Sequence, residues 1–409
     1  MSLSVSAVAD PATGREREIL TVASAHLNTM GVSVEWFSDI ADTLGLTRPA
    51  LYNYFADRED LQFRCYLMAC DELGQRFDVA QASHEDPVDT LTGFLAINLT
   101  AAPELAVMSE LAALRPEQRD AVTARQDGLV TRIAGEIRRG IDAGRIRDLD
   151  ARLLARTLLG LASWPSLLSR WGSPADRTLL TRGVHSFLLR GLATRPAEAA
   201  PLPERLAPLA PVRPDLFSRA DISAARRESV LIAASALFNT RGIGATRVDD
   251  VAERLGLSKR IVYHHVGQKQ DLVDACVERA YRYSAALMSA AEAFEGPRIQ
   301  ALTTAIRDIV LANSDPAACI MVPYVGYGQV GAAEQAAVRG HVARMIGGYR
   351  TLITAGIAEG SLRPIDVEAV LLALPGLFCW SANAPDQSAD DVASRAELLA
   401  SIAARGILA

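Results

Sequence analysis

The 409-residue chain lacks most motifs through which enzymes and metal-binding proteins are recognised. Its five cysteines are scattered without a CxxC pair, which argues against a structural metal site and a disulfide framework and fits a reducing compartment. The six histidines form no ligand cluster, and no GxSxG, P-loop, HExxH or dinucleotide-binding motif occurs. We therefore expect no enzymatic activity, no cofactor and no bound metal.

Long hydrophobic runs and an excess of positive charge are also missing. No window approaches 18 uninterrupted apolar residues, and the first residues lack the basic start and apolar run of a secretory signal. The net charge of −6 argues against a general affinity for polyanions, although local basic patches remain compatible with it. These features predict a soluble, cytoplasmic protein with no membrane partner.

What the chain does contain is alanine and leucine at helical spacing. Hydrophobic residues make up 50% of the sequence, whereas alternating β-branched runs are scarce, so an all-α fold is predicted. The length suggests two to four domains. Six prolines within residues 196–222 predict a stiff, extended linker that divides the chain into two halves. At about 3.1 Å per residue such a linker could reach roughly 80 Å.

The strongest pattern is an internal repeat. Residues 17–61 recur at 228–272, offset by 211 positions without insertion or deletion, and 15 of the 45 paired positions are identical. Later segments match more weakly, since 144–150 resembles 360–366 at an offset of 216. In each of these segments a glycine ends a helix, and an aspartate, Asp150 or Asp366, is placed to cap the next helix. The duplication therefore covers whole halves.

Each copy of the repeat has the pattern of a helix-turn-helix. In the first copy a helix ends near Gly31, a short helix covers about 36–44, and Gly45 makes a tight turn. Thr47 is placed to cap a third helix that continues through Phe55. The second copy repeats this arrangement with Gly256 in the turn and Ser258 as the cap. This geometry presents the third helix to a DNA major groove.

The third helices carry side chains suited to DNA. Arg260 can donate two parallel hydrogen bonds to guanine, Asn53 can pair with adenine, and Lys259, Tyr263 and Lys269 suit phosphates. Neighbouring helical residues point about 100° apart, so the adjacent histidines are a poor metal-ligand pair. The candidate DNA-binding residues are Thr47, Arg48, Tyr52, Asn53, Tyr54 and Arg58 in the first copy, and Arg247, Ser258, Lys259, Arg260, Tyr263, His264, His265 and Lys269 in the second.

Residues 47–61 (TRPALYNYFADREDL) resemble the recognition helix and following turn of the TetR family of repressors, and 258–272 resemble a second instance. The resemblance implies that the remainder of each half is a ligand-binding and dimerisation domain. The chain is similar to tandem members in which one polypeptide imitates the usual homodimer as an intramolecular pseudo-dimer. The expected organisation is a disordered tail (1–13), a first DNA-binding domain (14–64), a first ligand-binding domain (65–195), the linker (196–222), a second DNA-binding domain (223–275) and a second ligand-binding domain (276–409).

The same resemblance implies a cavity in each ligand-binding domain for a small effector. Apolar linings favour a lipid- or sterol-like molecule. The aromatic candidates, which could equally be core residues, are Trp164, Trp171, Tyr324, Tyr327, Phe378 and Trp380. The helices after Asp150 and Asp366, with the final helix of each half, are expected to form a four-helix interface between the halves.

The two copies of the repeat differ in charge. Residues 14–64 contain five Lys/Arg and eight Asp/Glu, a balance of −3, whereas residues 224–272 contain eight and five, a balance of +3. Neutralising phosphates supplies much of the affinity for DNA, so the second copy should bind more strongly. Glu35 and Trp36 replace the small hydroxyl residues usual in the family at the start of helix two, while Val266 stands where a phenylalanine is common. Because the two copies differ, we expect the DNA operator to be asymmetric or an imperfect palindrome.

The preferred hypothesis is a sequence-specific repressor that acts on double-stranded DNA as a monomeric pseudo-dimer and is released by an effector. Its recognition helices would lie about 34–36 Å apart in successive major grooves. One alternative is a scaffold or interaction protein whose first module is degenerate. Another is a homodimer of chains that uses only the second modules.

Overall fold

The computed structural model describes residues 14–31, 36–100, 105–168, 176–207, 218–315, 319–322, 331–383 and 389–409. Helices dominate these residues, and the only β pairing among them is two isolated bridges, Ile146 with Leu408 and Ala193 with Leu362. The predicted all-α fold class is therefore confirmed.

The first half (14–195) contains nine helices in the described residues. They are α1 (Gly14–Met30), α2 (Trp36–Thr43), α3 (Arg48–Leu51), α4 (Arg58–Ser83), α5 (Pro87–Thr100), α6 (Pro116–Asp142), α7 (Ala151–Ser163), α8 (Pro165–Leu168) and α9 (Arg177–Leu188). The first three, with the start of α4, form the first module. Their buried residues make a separate hydrophobic core.

The second half repeats this order from Arg219 onward, with a 3-10 turn in the place of α8. Its helices are α10 (Arg219–Ala245), α11 (Val248–Arg254), α12 (Lys259–Val266), α13 (Lys269–Ala293), α14 (Arg298–Ser314), α15 (Ala332–Glu359), α16 (Val367–Phe378) and α17 (Ala389–Arg405). Short 3-10 turns cover Leu111–Ala113, Pro196–Ala199 and Cys379–Asn383. One continuous core joins this half, its module included, to the ligand-binding part of the first half.

The two helix starts predicted from the repeat are confirmed. The Asp150 carboxylate accepts hydrogen bonds from the amides of Arg152 and Leu153, both at 2.9 Å, at the start of α7. The Asp366 carboxylate accepts one from the Ala369 amide at 3.1 Å at the start of α16. Each side chain satisfies first-turn N–H groups that have no partner within the helix.

The halves exchange hydrogen bonds through matching arginines. The Nε atom of Arg147 donates to the carbonyl oxygen of Gly406 at 3.0 Å, and that of Arg363 donates to the carbonyl oxygen of Gly191 at 3.0 Å. The arginines are 216 positions apart and the glycines 215. Each half therefore donates this arginine hydrogen bond to the other half and accepts the equivalent bond from it.

The residues after α9 and α17 repeat this reciprocity in the backbone. The Leu192 amide donates to the Ala403 carbonyl at 2.8 Å, and the Ile407 amide donates to the Leu188 carbonyl at 2.7 Å. Gly191 has φ +67° and Gly406 has φ +69°, and a Cβ atom on either would overlap backbone of the other half. Only glycine combines this conformation with so close an approach.

Two tryptophans add a third reciprocal contact. Trp164 packs on Gly376, and Trp380 packs on Gly160, again at an offset of 216. The indole nitrogen of Trp164 also donates to the carbonyl oxygen of Leu372 at 2.9 Å, which ties the end of α7 to α16. These contacts relate α7 and α16 by a local two-fold symmetry.

The expected four-helix interface is asymmetric. Helix α9 packs mainly against α16, whereas α17 packs mainly against α14 of its own half. At Gly183 the backbone of α9 lies directly on that of α16, and a Cβ there would overlap the Ala369 carbonyl. The matching position of α17 is Leu398, whose side chain prevents an equally close crossing.

The extended linker predicted for residues 196–222 is wrong in part. Residues 219–222 are the first turn of α10, and 196–207 lie against α14. The Leu202 amide donates to Thr304 Oγ1 at 2.9 Å, and the Leu206 amide donates to the Asp308 carboxylate at 2.8 Å. Buried polar groups on α14 thus replace water as partners of the linker backbone, while 208–217 fall outside the described residues.

Candidate DNA-binding site

The turn between the second and third helices is the same in both modules. Gly45 and Gly256 each have φ +63°, a left-handed conformation that glycine adopts without steric cost. The amide after each glycine donates back to an alanine of the second helix, Leu46 to Ala41 at 2.8 Å and Leu257 to Ala252 at 2.9 Å. The predicted helix-turn-helix arrangement is therefore present twice.

The third helices differ in length. Helix α12 spans Lys259–Val266, whereas α3 covers only Arg48–Leu51 and continues as a tighter turn, in which the Tyr54 amide donates to the Leu51 carbonyl. The third helix of the first module, predicted to run from the Thr47 cap through Phe55, is therefore shorter than predicted. Thr47 and Ser258 occupy the N-cap positions, but neither side chain accepts the predicted hydrogen bond. Both residues are exposed, so water can satisfy the first-turn amides.

The candidate residues of the first module lie on its surface. Thr47, Arg48, Asn53 and Arg58 are exposed, Tyr54 is half-buried, and Tyr52 keeps 46% of its surface exposed while packing 5.0 Å from the Phe37 ring. Leu51 and Phe55 are buried beneath them. The buried pair fixes α3 on the module, and the exposed residues are accessible at its surface.

The candidate residues of the second module fall into two groups. Arg260, His264 and Arg247 are exposed, with no hydrogen bond or ion pair from any of their side chains among the described residues. Lys259 instead pairs with Asp249, its Nζ 2.8 Å from a carboxylate oxygen, and this hydrogen bond raises the lysine pKa. The Lys259 ammonium also lies 5.8 Å from the centre of the Tyr263 ring. The Arg260 side chain is thus available for a contact with DNA, whereas Lys259 would first have to break its ion pair with Asp249.

Lys269 and His265 are partly withdrawn from the surface. Lys269 Nζ donates to the Gly244 carbonyl at 3.3 Å, and burial lowers the pKa of this lysine. Burial, with the neighbouring His264 and Arg226, lowers the pKa of His265. The phosphate contact predicted for Lys269 therefore competes with a bond that holds the end of α10.

The start of the second helix distinguishes the modules most clearly. Arg247 is exposed at the start of α11, whereas Trp36, its counterpart in α2, is completely buried. Glu35 lies outside the described residues. The first module therefore has an apolar core residue where the second has a cation.

A buried asparagine joins each module to its ligand-binding domain. Asn28 Nδ2 donates to the Leu105 carbonyl at 2.8 Å, and Asn28 Oδ1 accepts from the Val107 amide at 2.9 Å. Asn239 makes the same two bonds, at 2.8 and 2.9 Å, to Ile320 and Val322. Asn28 and Asn239 are paired, identical positions of the repeat, on helix faces whose other buried residues are apolar or serine. A polar amide repeated on a largely apolar face is the sequence signal for this contact.

Asn239→Ala should lower the free energy of unfolding by about 2 kcal/mol, because it leaves a buried carbonyl and a buried amide without partners. Chemical denaturation of the two proteins measures the change. Thr240→Ala is the matched control, since this exposed residue donates only to the carbonyl oxygens of Ala236 and Leu237 in its own helix. Equal unfolding midpoints for both variants would show that the asparagine does not stabilise the contact between the module and the ligand-binding domain.

The segment after α5 also contacts both modules. Gln62 Nε2 of the first half donates to the Glu110 carbonyl at 3.1 Å, and the Glu110 side chain lies beside Gly242 at the end of the first helix of the second module. The segment 105–110 thus connects the two modules through the first ligand-binding domain.

Of the aromatic residues proposed to line the cavities, three are described. Trp164 and Phe378 are buried in the core, and Trp380 is half-buried beside Gly160. Trp171, Tyr324 and Tyr327 lie outside the described residues. Contact of any of the six with a ligand stays a prediction.

Comparison with known proteins identifies the family. The family model described as "Bacterial regulatory proteins, tetR family" matches residues 230–276, and the one described as "Tetracyclin repressor-like, C-terminal domain" matches residues 89–187. These matches place two parts of the chain in the TetR family. The two parts fall in different halves, one on the second module and one on the first ligand-binding domain.

Individual relatives cover parts of the chain. The HTH-type transcriptional activator FasR of Mycolicibacterium smegmatis is 43% identical over 54 residues, which are 13% of this chain and 25% of that protein. The TetR family regulator PfmR of Thermus thermophilus is 22% identical, covers 42% of this chain and 96% of its own, and has a TM-score of 0.34. The ketosteroid transcriptional regulator KstR2 of Mycobacterium tuberculosis is 22% identical, covers 44% and 95%, and has a TM-score of 0.36.

None of the described helices combines the length and the apolar character needed to cross a bilayer.

Proposed function

We propose that this chain is a transcriptional regulator that binds an asymmetric DNA operator as a monomer, with one module on each half-site. The observation that carries the proposal is the presence of two helix-turn-helix modules with different exposed side chains in one chain. Arg260 and His264 stand in the second module where Pro49 and Asn53 stand in the first. An operator that matches both modules cannot be a perfect palindrome, because different side chains select different bases.

The reciprocal contacts between the halves support the monomeric form. The bonds of Arg147 and Arg363 to the opposite half, together with the crossing of α9 and α16, occupy within one chain the surfaces that identical subunits would use. A second chain is therefore not needed to place two modules side by side.

A small effector would act through the contacts between the parts. Asn28, Asn239 and the segment 105–110 join the ligand-binding domains to the modules. An effector that favours one separation of the modules would change DNA affinity by its difference in affinity for the two arrangements. We propose that it releases a repressor. The name of the relative FasR favours a second candidate, an activator.

A footprint of the intact chain on DNA selected from a random-sequence library tests the proposal. Two protected half-sites of different sequence, with one chain bound per site by mass measurement, are the expected result. Protection of a palindrome by two chains would support the homodimer that uses only second modules, and no protection would support the scaffold role. A reporter gene behind the selected site then distinguishes repression from activation.

A further inference from the structure

The side chain of Arg395 on α17 is buried, with no ion-pair partner among the described residues. It is only 2% exposed, and its guanidinium carbon lies 5.9 Å from the centre of the Trp380 ring. One terminal nitrogen donates to Ser314 Oγ at 3.3 Å, whereas the buried Nε atom has no hydrogen-bond acceptor. One edge of the guanidinium is thus left without the acceptor that it requires.

The other buried arginines of the described residues each have a carboxylate. Arg279 Nε lies 2.6 Å from Glu228, and an Arg307 terminal nitrogen lies 2.7 Å from Asp308. No carboxylate of the described residues forms an ion pair with Arg395. The charge of Asp391, one turn earlier on α17, raises the pKa of Arg395.

Burial and the nearby Arg156 lower the pKa of Arg395 to about 10, with burial the larger cause. The side chain therefore stays protonated at neutral pH. An unpaired buried charge costs several kcal/mol, and arginine is rarely fully buried without a partner.

The matching position of the first half holds an apolar residue. Leu180 on α9 is the counterpart of Arg395 at the offset of 215, and it is completely buried. A leucine therefore fills this position of the duplicated fold without loss of packing, so the fold itself does not require the arginine. The charge belongs to the second half alone.

We propose that Arg395 binds the carboxylate of an apolar carboxylic acid in the second ligand-binding domain. The inference rests on the proposed function, since this acid would be an effector of the regulator. The free edge of the guanidinium suits the two oxygens of a carboxylate, which accept parallel hydrogen bonds. Val392, Ala396 and Leu399 of the same helix are buried, so the body of the ligand would be apolar.

Charge balance selects a carboxylate over a phosphate monoester. One guanidinium balances one negative charge, whereas a phosphate monoester carries about −1.5 to −2 at neutral pH. Arg156 is not free to supply the second positive charge, because its guanidinium lies 2.7 Å from the Asp127 carboxylate. A singly charged head group brings only the one negative charge that the Arg395 guanidinium balances.

Calorimetric titration of the full chain with octanoate and dodecanoate, and with octanol and dodecanol, tests the proposal. At least one acid should bind about tenfold or more tightly than its matched alcohol, because only the carboxylate offers the guanidinium a negative charge and two acceptor oxygens. Arg395→Leu, which copies the first half, should abolish this preference, and Arg395→Lys should retain part of it. Arg282→Leu, an exposed arginine on α13, is the control and should leave the preference unchanged.

Thermal unfolding of the ligand-free proteins provides a second measurement. Arg395→Leu should unfold at a higher temperature than the wild type, because it removes an unpaired buried charge. No preference for either acid over its alcohol, or an unchanged preference in Arg395→Leu, overturns the proposal. If the same preparations still bind the selected DNA, the proposed function stands while this inference fails. An acid preference without DNA binding would instead leave the carboxylate site standing while the proposed function fails.

Discussion

Replacing Arg260 with alanine should weaken binding to the selected operator about tenfold to hundredfold, because an arginine that contacts a guanine edge is worth about 1–3 kcal/mol. Arg260 is exposed on α12 and makes no hydrogen bond or ion pair with the described residues, so its donors are available to DNA. The loss should fall on one half-site and relax the base preference there. Gel-shift titration at fixed salt with operator variants measures both effects.

Arg282→Ala is the control for this loss of charge, since it removes one exposed arginine from α13, outside the helix-turn-helix. Because much non-specific affinity comes from phosphate neutralisation, a uniform loss on every sequence would make Arg260 a phosphate contact. Arg48→Ala should give a smaller, separate loss on the other half-site. If it has no effect on any DNA, only the second module binds.

Gly183→Ala should lower the free energy of unfolding by more than about 3 kcal/mol, at or above the upper end for overpacked sites. The added methyl group would overlap the Ala369 carbonyl and press on Ala373, so α9 and α16 must separate. The Ala369 carbonyl is part of the backbone, so it cannot rotate out of the way as a side chain can. The reciprocal bonds at the ends of α9 and α17 should weaken with this contact.

Gly128→Ala in α6 is the matched control for Gly183→Ala. A Cβ at Gly128 meets nothing within 4 Å, and alanine favours a helix over glycine by roughly 0.5–1 kcal/mol. The denaturant concentration at the midpoint of unfolding should therefore fall for Gly183→Ala and rise for Gly128→Ala. Similar midpoints for both would mean that α9 and α16 do not approach closely in solution.

Local sequence signals predicted the parts of this fold that depend on neighbouring residues. The turns at Gly45 and Gly256 need a left-handed residue, and the caps at Asp150 and Asp366 need a short acceptor at one position. Such requirements are met within a few residues of chain. Each of these signals occurs in both copies of the repeat, which distinguishes it from a chance match.

The remainder depends on residues far apart in sequence. The linker folds onto α14 through bonds such as that of Leu202 to Thr304, across 102 positions. The prolines indicate a stiff segment, but they do not show which residues accept hydrogen bonds from the backbone amides of the linker. Asn239 and Arg395 escaped prediction for the same reason, since only the packed helices show which polar groups are buried.

The different packing of α9 and α17 was also beyond the sequence pattern. Two weakly similar helices predict a symmetric interface, and Gly183 against Leu398 breaks that symmetry at one position. A single side chain at a crossing point decides how closely two helices approach. Such a choice is visible only when both helices are in place.

The bond from Arg147 to Gly406 has a consequence for how the protein is made. A distance of 259 residues separates the two groups along the chain. At about 5–20 residues per second, a ribosome needs roughly 13–50 s to synthesise them. Once residue 195 has been synthesised, the first half is complete but lacks its partner surface for the rest of that time, so its apolar face stays uncovered. Neighbouring nascent chains on one messenger RNA could fill that surface, and fast elongation through the second half would therefore protect against entangled, domain-swapped products.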